Sequence, residues 1–440
     1  MLGNQGNPVH QNDREVFARQ LFLSLSEFDR LVNSANHAYE IIKELGPFYG
    51  REDIKEPTFR ITAEPVVLPS GSKELLEQFG NDLLYVARAL SKLPQNCKNL
   101  LGENLDFIAP LTWRIDVIIN EKGKLQVNEI EGRDGASSLM MAEQFAYGLQ
   151  PVAQSTAAKL ITTIKMMCKA TKSPLHLAYL RVDNPHKTNG YRFNEFIEEL
   201  SGKTIRVEHM FDTDIKEGTL KPDWSKYDVV LNESGLSTQD LLSLGLTKEQ
   251  ILPGGVYCAL INKGLFALVF EKELEEFWIK ELGEERFKRL LRILIPTKFI
   301  RTKEELQKAR AEGKVIKISW AGANTTLTNR SQGVAIPEGS GEHASEERWT
   351  LLEDALDQGA VIIAQDYVRP QQINAFLRKK GINLEPVSWY NRVCVKYVVE
   401  GNPNAEDIPS VALTATEVTL GPDVIPAGRK SAFTAGKFAE

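Results

Sequence analysis

The chain has 440 residues, 42% of them hydrophobic, 25% charged and 8% aromatic, and a formal net charge of −6. That is an ordinary globular composition, long enough for about two to four domains. The acidic balance gives no support for a nucleic-acid or anionic-membrane surface, and no apolar run approaches the roughly 20 residues of a membrane span. The start, Met1 to Asn12, is polar and lacks a signal-peptide core, so the sequence reads as cytoplasmic. Cys97, Cys168, Cys258 and Cys394 are scattered without a CxxC and read as reduced, buried thiols. The six histidines are dispersed too, which argues against a His-based zinc site.

Residues 13–50 read as helical, with Ser24-Leu25-Ser26-Glu27 as a capping box and Gly46-Pro47 as the stop. After a segment punctuated by Pro57, Pro65 and Pro69, Ser72 can cap a second amphipathic helix. Its apolar face holds Leu75, Leu76, Phe79, Leu83, Leu84 and Val86.

Trp113 to Asn120 and Lys124 to Gly132 then read as two strands joined by Glu121-Lys122-Gly123. Ile115, Val117 and Ile119 alternate with Arg114, Asp116 and Ile118. Glu129 and Glu131 share one face by the two-residue period. Pairing the strands brings Asp116 toward Glu129 and Glu131. Three converging carboxylates repel unless a cation lies between them, and oxygen-only ligands favour Mg2+ over Zn2+. The alternative is a hairpin whose acids are merely solvated.

The turn Arg133-Asp134-Gly135-Ala136-Ser137-Ser138 precedes an apolar helix and can offer free N–H groups to an anion, or be a plain strand-to-helix connection. A further helix spans about Val152 to Lys169. From 175 to 235 the order is strand, helix, strand, strand, which predicts a small parallel α/β unit without a GxGxxG fingerprint. Asp183, Asn184, Glu233 and Ser234 fall at strand C-terminal ends there.

Glu271 to Leu294 reads as a long helix or helix pair, followed by an extended piece, Ile295 to Ile300. Thr302-Lys303-Glu304-Glu305 is a capping box, and Val315 to Trp320 a strand. The small-residue loop from Ala321 to Val334 can close over phosphates through its N–H groups, or be a mobile hairpin loop. Glu346 to Gln358 is a helix; Ala360 to Val368, Tyr390 to Val399 and Val411 to Val418 are strands. Ala427 to Glu440 reads as a tail rich in Gly, Ala, Ser and Lys.

In order, these motifs resemble a circularly permuted ATP-grasp, of the eukaryotic-type glutathione synthetase and glutathionylspermidine synthase kind. The resemblance rests on Arg114-x-Asp116, Glu129-x-Glu131, Lys317, Gly322-Ala323-Asn324 and Gln365-Asp366-Tyr367-Val368, over roughly residues 111–150 and 255–433. It implies an α/β (α+β) ATP-grasp fold with a helical N-terminal region, 1–110, and a metal-binding part, 111–174. A small inserted parallel α/β substrate domain, 175–260, and a nucleotide-binding part, 261–440, would follow.

It further implies a ligase using ATP and Mg2+ to activate a small-molecule carboxylate as an acyl phosphate, which an amine then attacks. The natural substrate is an amino acid or short peptide. Asp116, Glu129 and Glu131 would hold Mg2+, and Lys317 a phosphate. Lys298 or Lys263 would be the second phosphate lysine, each with the plainer alternative of a solvated lysine. Gly322 and Asn324 would close over the phosphates, and residues 365–368 hold adenine. Arg114 and Arg392 would steady the transferring phosphoryl group. Arg133, Ser137 and Ser138 would meet the carboxylate substrate. No Cys/His pair near the start marks an amidase domain, so a bifunctional glutathionylspermidine enzyme is not expected. The oligomeric state is open, a homodimer included.

Two positions depart from that pattern. The families have Glu-x-Asn where this chain has Glu129-x-Glu131, and an Arg-Glu pair where it has Trp320-Ala321. Either Glu131 replaces the charge lost at the loop, or the site is degenerate and the chain a nucleotide-binding regulatory or scaffold protein.

Overall fold

One eight-stranded sheet takes strands from two distant parts of the chain, and two four-stranded sheets are strung between them. The computed structural model describes residues 18, 23–45, 60–102, 105–132, 137–168, 173–181, 188–252, 258–320, 334–337, 345–378, 384–403, 405–423 and 431–439. β1 (Arg60–Ile61), β2 (Val66–Leu68), β3 (Thr112–Ile119) and β4 (Leu125–Glu131) enter the large sheet. β5 (Leu175–Arg181), β6 (Ile205–Phe211), β7 (Val229–Glu233) and β8 (Ile251–Leu252) make a parallel sheet in the order β6-β5-β7-β8. β9 (Thr297–Ile300), β10 (Val315–Trp320), β11 (Val334–Ala335) and β12 (Val361–Gln365) make an antiparallel one, ordered β11-β10-β12-β9. β13 (Gln372–Arg378), β14 (Leu384–Glu400), β15 (Ser410–Gly421) and β16 (Ala432–Phe438) return to the large sheet. Its main order is β1-β16-β15-β14-β3-β4. The result is a mixed α/β fold. Among the described residues no helix is long and apolar enough to cross a membrane.

The large sheet has one apolar and one ionic face, by the two-residue period of its strands. Ile115, Val117, Val393, Val395, Tyr397 and Val418 point into the main core against the helix Ser72–Leu90. The opposite face carries Arg114, Asp116, Arg392, Lys396, Glu417 and Thr419. Only a covered sheet holds so many charges at low exposure, and the helix Ser137–Ala146 covers part of it. Its Met140 packs on Cys394 and Ala415, and its Gln144 donates to the Thr416 carbonyl.

Several elements depart from the sequence reading. The segment read as a tail contains β16, which lies between β1 and β15. Its small residues suit close packing, not disorder: a Cβ on Gly436 would come within 3.0 Å of Thr416 Oγ1. The N-terminal region is not purely helical, because β1 and β2 pair with β16. Gly71, at φ 73°, holds the N-cap position of the helix Ser72–Leu90, while Ser72 Oγ donates backward to the Pro69 carbonyl. The helix expected from Val152 divides into a single 3-10 turn, Val152–Gln154, and Thr156–Met167, capped by Ser155. β13 was not anticipated.

Gly80 lies where the helix Ser72–Leu90 crosses Tyr397, a fully buried ring whose hydroxyl donates to the Leu76 carbonyl. A Cβ at 80 would sit 2.5 Å from Tyr397 Cε1. Gly80→Ala is therefore expected to destabilise by about 1–3 kcal/mol through overpacking, despite alanine's better helix propensity. Urea unfolding checks this; an unchanged midpoint would mean the ring has room to move.

Candidate active site

The candidate site is built on β3 and β4. Their register sets Asp116 opposite Glu129 and Arg114 opposite Glu131. Carboxylate oxygens of Asp116, Glu129 and Glu131 all lie within 4.8 Å of one another, as the alternation predicts. The register shifts between Asp116 and Val117: Val117 faces Val127, so Asn128 is the extra residue of a β-bulge. The bulge explains why Val127 and Ile130, three apart, are both buried.

The bulge also explains how Lys317 is held. Lys317 reaches from β10 and is 4% exposed. Its Nζ donates to the Asn128 carbonyl (3.1 Å), Asn128 Oδ1 (2.8 Å) and Gln365 Oε1 (2.8 Å). Burial holds its pKa down to about 8, with Lys263 acting in the same direction and Glu129 and Asp116 opposing. Sequence reasoning missed Asn128. Its signal was the break in alternation at Val127-Asn128-Glu129-Ile130.

The cations close around the carboxylates. Arg114 donates through Nε to Asp116 Oδ1 (2.9 Å) and through Nη2 to Glu131 Oε2 (2.5 Å). Lys263 Nζ meets Glu129 Oε1 at 3.1 Å, and Arg392 Nη1 stands 3.8 Å from Asp116 Oδ2. Burial alone would raise the Glu129 pKa, but Lys263, Lys317 and Arg114 outweigh it and hold the group at about 2. Glu131 goes the other way. Burial raises its pKa, Arg114 opposes, and the charges of Asp116 and Glu129 add to the rise.

Not every expected residue comes here. Lys298 pairs with Ala364, one register position from Phe299, Ile363 and Lys317, so its side chain leaves the opposite face of the antiparallel sheet. It is half exposed, 3.9 Å from Glu312. Of the two candidate lysines, Lys263 is the one beside the carboxylates. Gln365, the last residue of β12, is buried in the Lys317 network and donates to Thr297 Oγ1 at 3.3 Å. Asp366, Tyr367 and Val368 follow it outside the strand. The Asp366 N–H donates to the Pro296 carbonyl, and its carboxylate accepts from Lys314. Arg133, Gly322 and Asn324 lie outside the described residues. Ser137 and Ser138 open the helix that covers the ionic face, and their side chains lie outside the described set.

Two buried acids were also missed. Glu417 faces Cys394, which faces Asp116, in one row across β15, β14 and β3. Glu143, on the covering helix, is fully buried, and among the described residues neither of its oxygens has a hydrogen-bond partner. Burial raises its pKa far above the carboxylate range, and Glu417 adds to the rise. Nothing in composition or periodicity marks a buried acid.

The parallel sheet touches the same face. Glu233, ending β7, accepts from Tyr179 (2.7 Å) and from Thr112 (3.2 Å), two residues before Arg114. The carboxyl end of that sheet, where open α/β sheets place ligands, therefore abuts the ionic face.

The oxygen-only set of Asp116, Glu129 and Glu131 fits a hard divalent cation. The buried lysine between the two sheets fits an anion beside it. No family model matches the chain, and no curated protein does. Among solved structures, the chain is similar to a glutathione synthetase like-effector (GSS30) from Globodera pallida, with 12% identity and a TM-score of 0.57. The match covers 94% of this chain and 97% of that one. A putative gamma-glutamylcysteine synthetase from Methylobacillus flagellatus KT matches at 10% identity and TM-score 0.36, over 82% of this chain and 85% of that one. At 12% identity the first likeness is one of fold: the chain shares the overall architecture of that glutathione synthetase like-effector.

Proposed function

We propose that the chain is an ATP-dependent carboxylate–amine ligase that forms an amide or peptide bond through an acyl phosphate. The observation that carries this reading is the meeting of Lys317 with the bulge residue Asn128, next to Glu129. It joins a buried cation of the antiparallel sheet to the carboxylate cluster of the large sheet. Phosphoryl transfer to a carboxylate brings two anions together, so fixed cations around the reacting groups are what the chemistry demands.

Asp116, Glu129 and Glu131 would hold Mg2+, which when bound neutralises phosphate charge. Lys317 and Lys263 bind phosphate oxygens. Arg114 and Arg392 orient the transferring group through their planar guanidinium forks. The backbone at 365–368 receives adenine. The loop with Gly322 and Asn324 excludes water that would hydrolyse the acyl phosphate. Arg133, Ser137 and Ser138 bind the acid, and the carboxyl end of the parallel sheet the amine. Residues 111–174 serve as the metal part in one sheet with β13–β16, residues 175–260 as the second-substrate part, and the rest of 261–440 as the nucleotide part. An amino acid or short peptide is the substrate class that glutathione synthetase-like architecture favours.

ADP release with Mg·ATP against pools of amino acids and short peptides tests the reading, with wild type and Lys317→Ala side by side. Release that needs both an acid and an amine, and is lost with Lys317, supports it. Nucleotide bound without turnover across the pools favours the degenerate, regulatory alternative, and no nucleotide binding excludes both. If Glu131 is a third ligand, Glu131→Ala should raise the Mg2+ concentration for half-maximal ADP release by about 10–100-fold. Full activity at unchanged Mg2+ would exclude the idea that Glu131 compensates for the departure at Trp320-Ala321.

A further inference from the structure

Each carboxylate of the cluster already faces a cationic side chain. Arg114 bridges Asp116 and Glu131, Lys263 pairs with Glu129, and Arg392 stands beside Asp116. Three negative groups thus face three paired cations, and the Lys317 ammonium adds a fourth positive charge near Glu129. Arg114 is not a surface residue free to swing away. Its side chain is 13% exposed, and its backbone is paired on both sides, to Lys396 and to Glu131.

A bare divalent cation approaching Asp116, Glu129 and Glu131 meets acids whose charge is offset, with a guanidinium held among them. Binding it would leave the half-buried site with at least two excess positive charges. A polyphosphate carries the anions that remove this excess. It also gives Arg114 and Lys263 new oxygen partners in exchange for the carboxylates they release.

From this geometry we infer that Arg114 is a built-in counter-ion that excludes free divalent cations from the cluster, which takes up a cation only together with a polyphosphate. The polyphosphate's identity as a nucleotide rests on the function proposed above; the exclusion rests on the side chains alone. By linkage, cation and polyphosphate tighten one another's binding by the same factor.

Mn2+ is the probe, read as the Mn2+ retained with protein in equilibrium dialysis at set free Mn2+, so that chelation by tripolyphosphate in solution is not counted as binding. For wild type, tripolyphosphate should tighten Mn2+ binding by roughly 5–150-fold, the usual span of coupled sites. Arg114→Met, which removes a cation, should gain affinity for Mn2+ alone, by about tenfold or more. Asp116→Asn in that background should abolish the gain. Lys263→Met, a second route to the same imbalance through Glu129, serves if Arg114→Met does not fold by circular dichroism.

Wild type holding Mn2+ as tightly alone as with tripolyphosphate would overturn the inference. So would folded Arg114→Met and Lys263→Met proteins with no gain. A gain in the variants with no response to ATP in wild type would confirm the exclusion and sink the nucleotide reading instead.

Discussion

Lys317→Met should lower turnover by about 10²–10³-fold, the size expected when one preorganised charge-stabilising donor is lost. The ammonium is buried and fixed by Asn128 and Gln365, so its charge is held in place before any anion arrives. Its pKa of about 8 adds a pH signature. An anion binds the protonated lysine, so above pH 8 binding must take up a proton. Nucleotide affinity should then fall about tenfold per pH unit from pH 8 upward, until the higher pKa of the bound state is reached. Below pH 8 the lysine is already charged and this term is flat. Lys317→Arg, charged throughout, should lose the dependence. Calorimetric titration with a nonhydrolysable ATP analogue between about pH 6.5 and 9.5 reads both effects. A wild-type profile as flat as that of Lys317→Arg would overturn the pH signature, and unchanged affinity in Lys317→Met would show that Lys317 does not carry the anion.

That lysine illustrates what the sequence discloses. Period-two alternation placed Asp116, Glu129 and Glu131 on one hairpin face, because alternation is a local property. It left Lys298 and Lys263 open as the second phosphate lysine, because the face by which Lys298 leaves its short strand depends on the register between β9, β12 and β10, which joins segments distant in the chain. Asn128 was legible in principle, since Val127 and Ile130 break the period. β16 was misread because Gly, Ala and Ser occur both in tails and where strands pack tightly. Two-residue strands such as β1 are too short to carry a period at all. The burial of Glu143 and Glu417 is tertiary, so no local pattern announces it.

Asp82→Ala should cost about 3 kcal/mol of stability, the low end for breaking a buried ion pair. Asp82 is 2% exposed, yet its carboxylate accepts from Arg289 through Nε and Nη2, both at 2.8 Å, with Arg286 Nε at 3.4 Å. The group ties the helix Ser72–Leu90 to the helix Glu284–Ile293. The second helix runs into Leu294, which bridges to Val127 beside the bulge. Removing the carboxylate leaves two guanidinium groups against apolar surface, both partly reached by water, hence the low end of the range. Urea unfolding of Asp82→Ala, Arg289→Ala and the double variant would isolate the coupling. A loss below about 0.5 kcal/mol would place the pair with ordinary exposed salt bridges.

The ionic face has a consequence for how the chain is made. β3 and β4 leave the ribosome together as a local hairpin, but Asp116 meets its other neighbour only when Cys394 has been synthesised. At ordinary translation rates that interval is on the order of 15–60 s. Until then Arg114 lacks Lys396 beside it, and Asp116 lacks the Arg392 guanidinium. The hairpin would therefore wait with its acids hydrated, and the cage of charges would close in a late, non-local folding step.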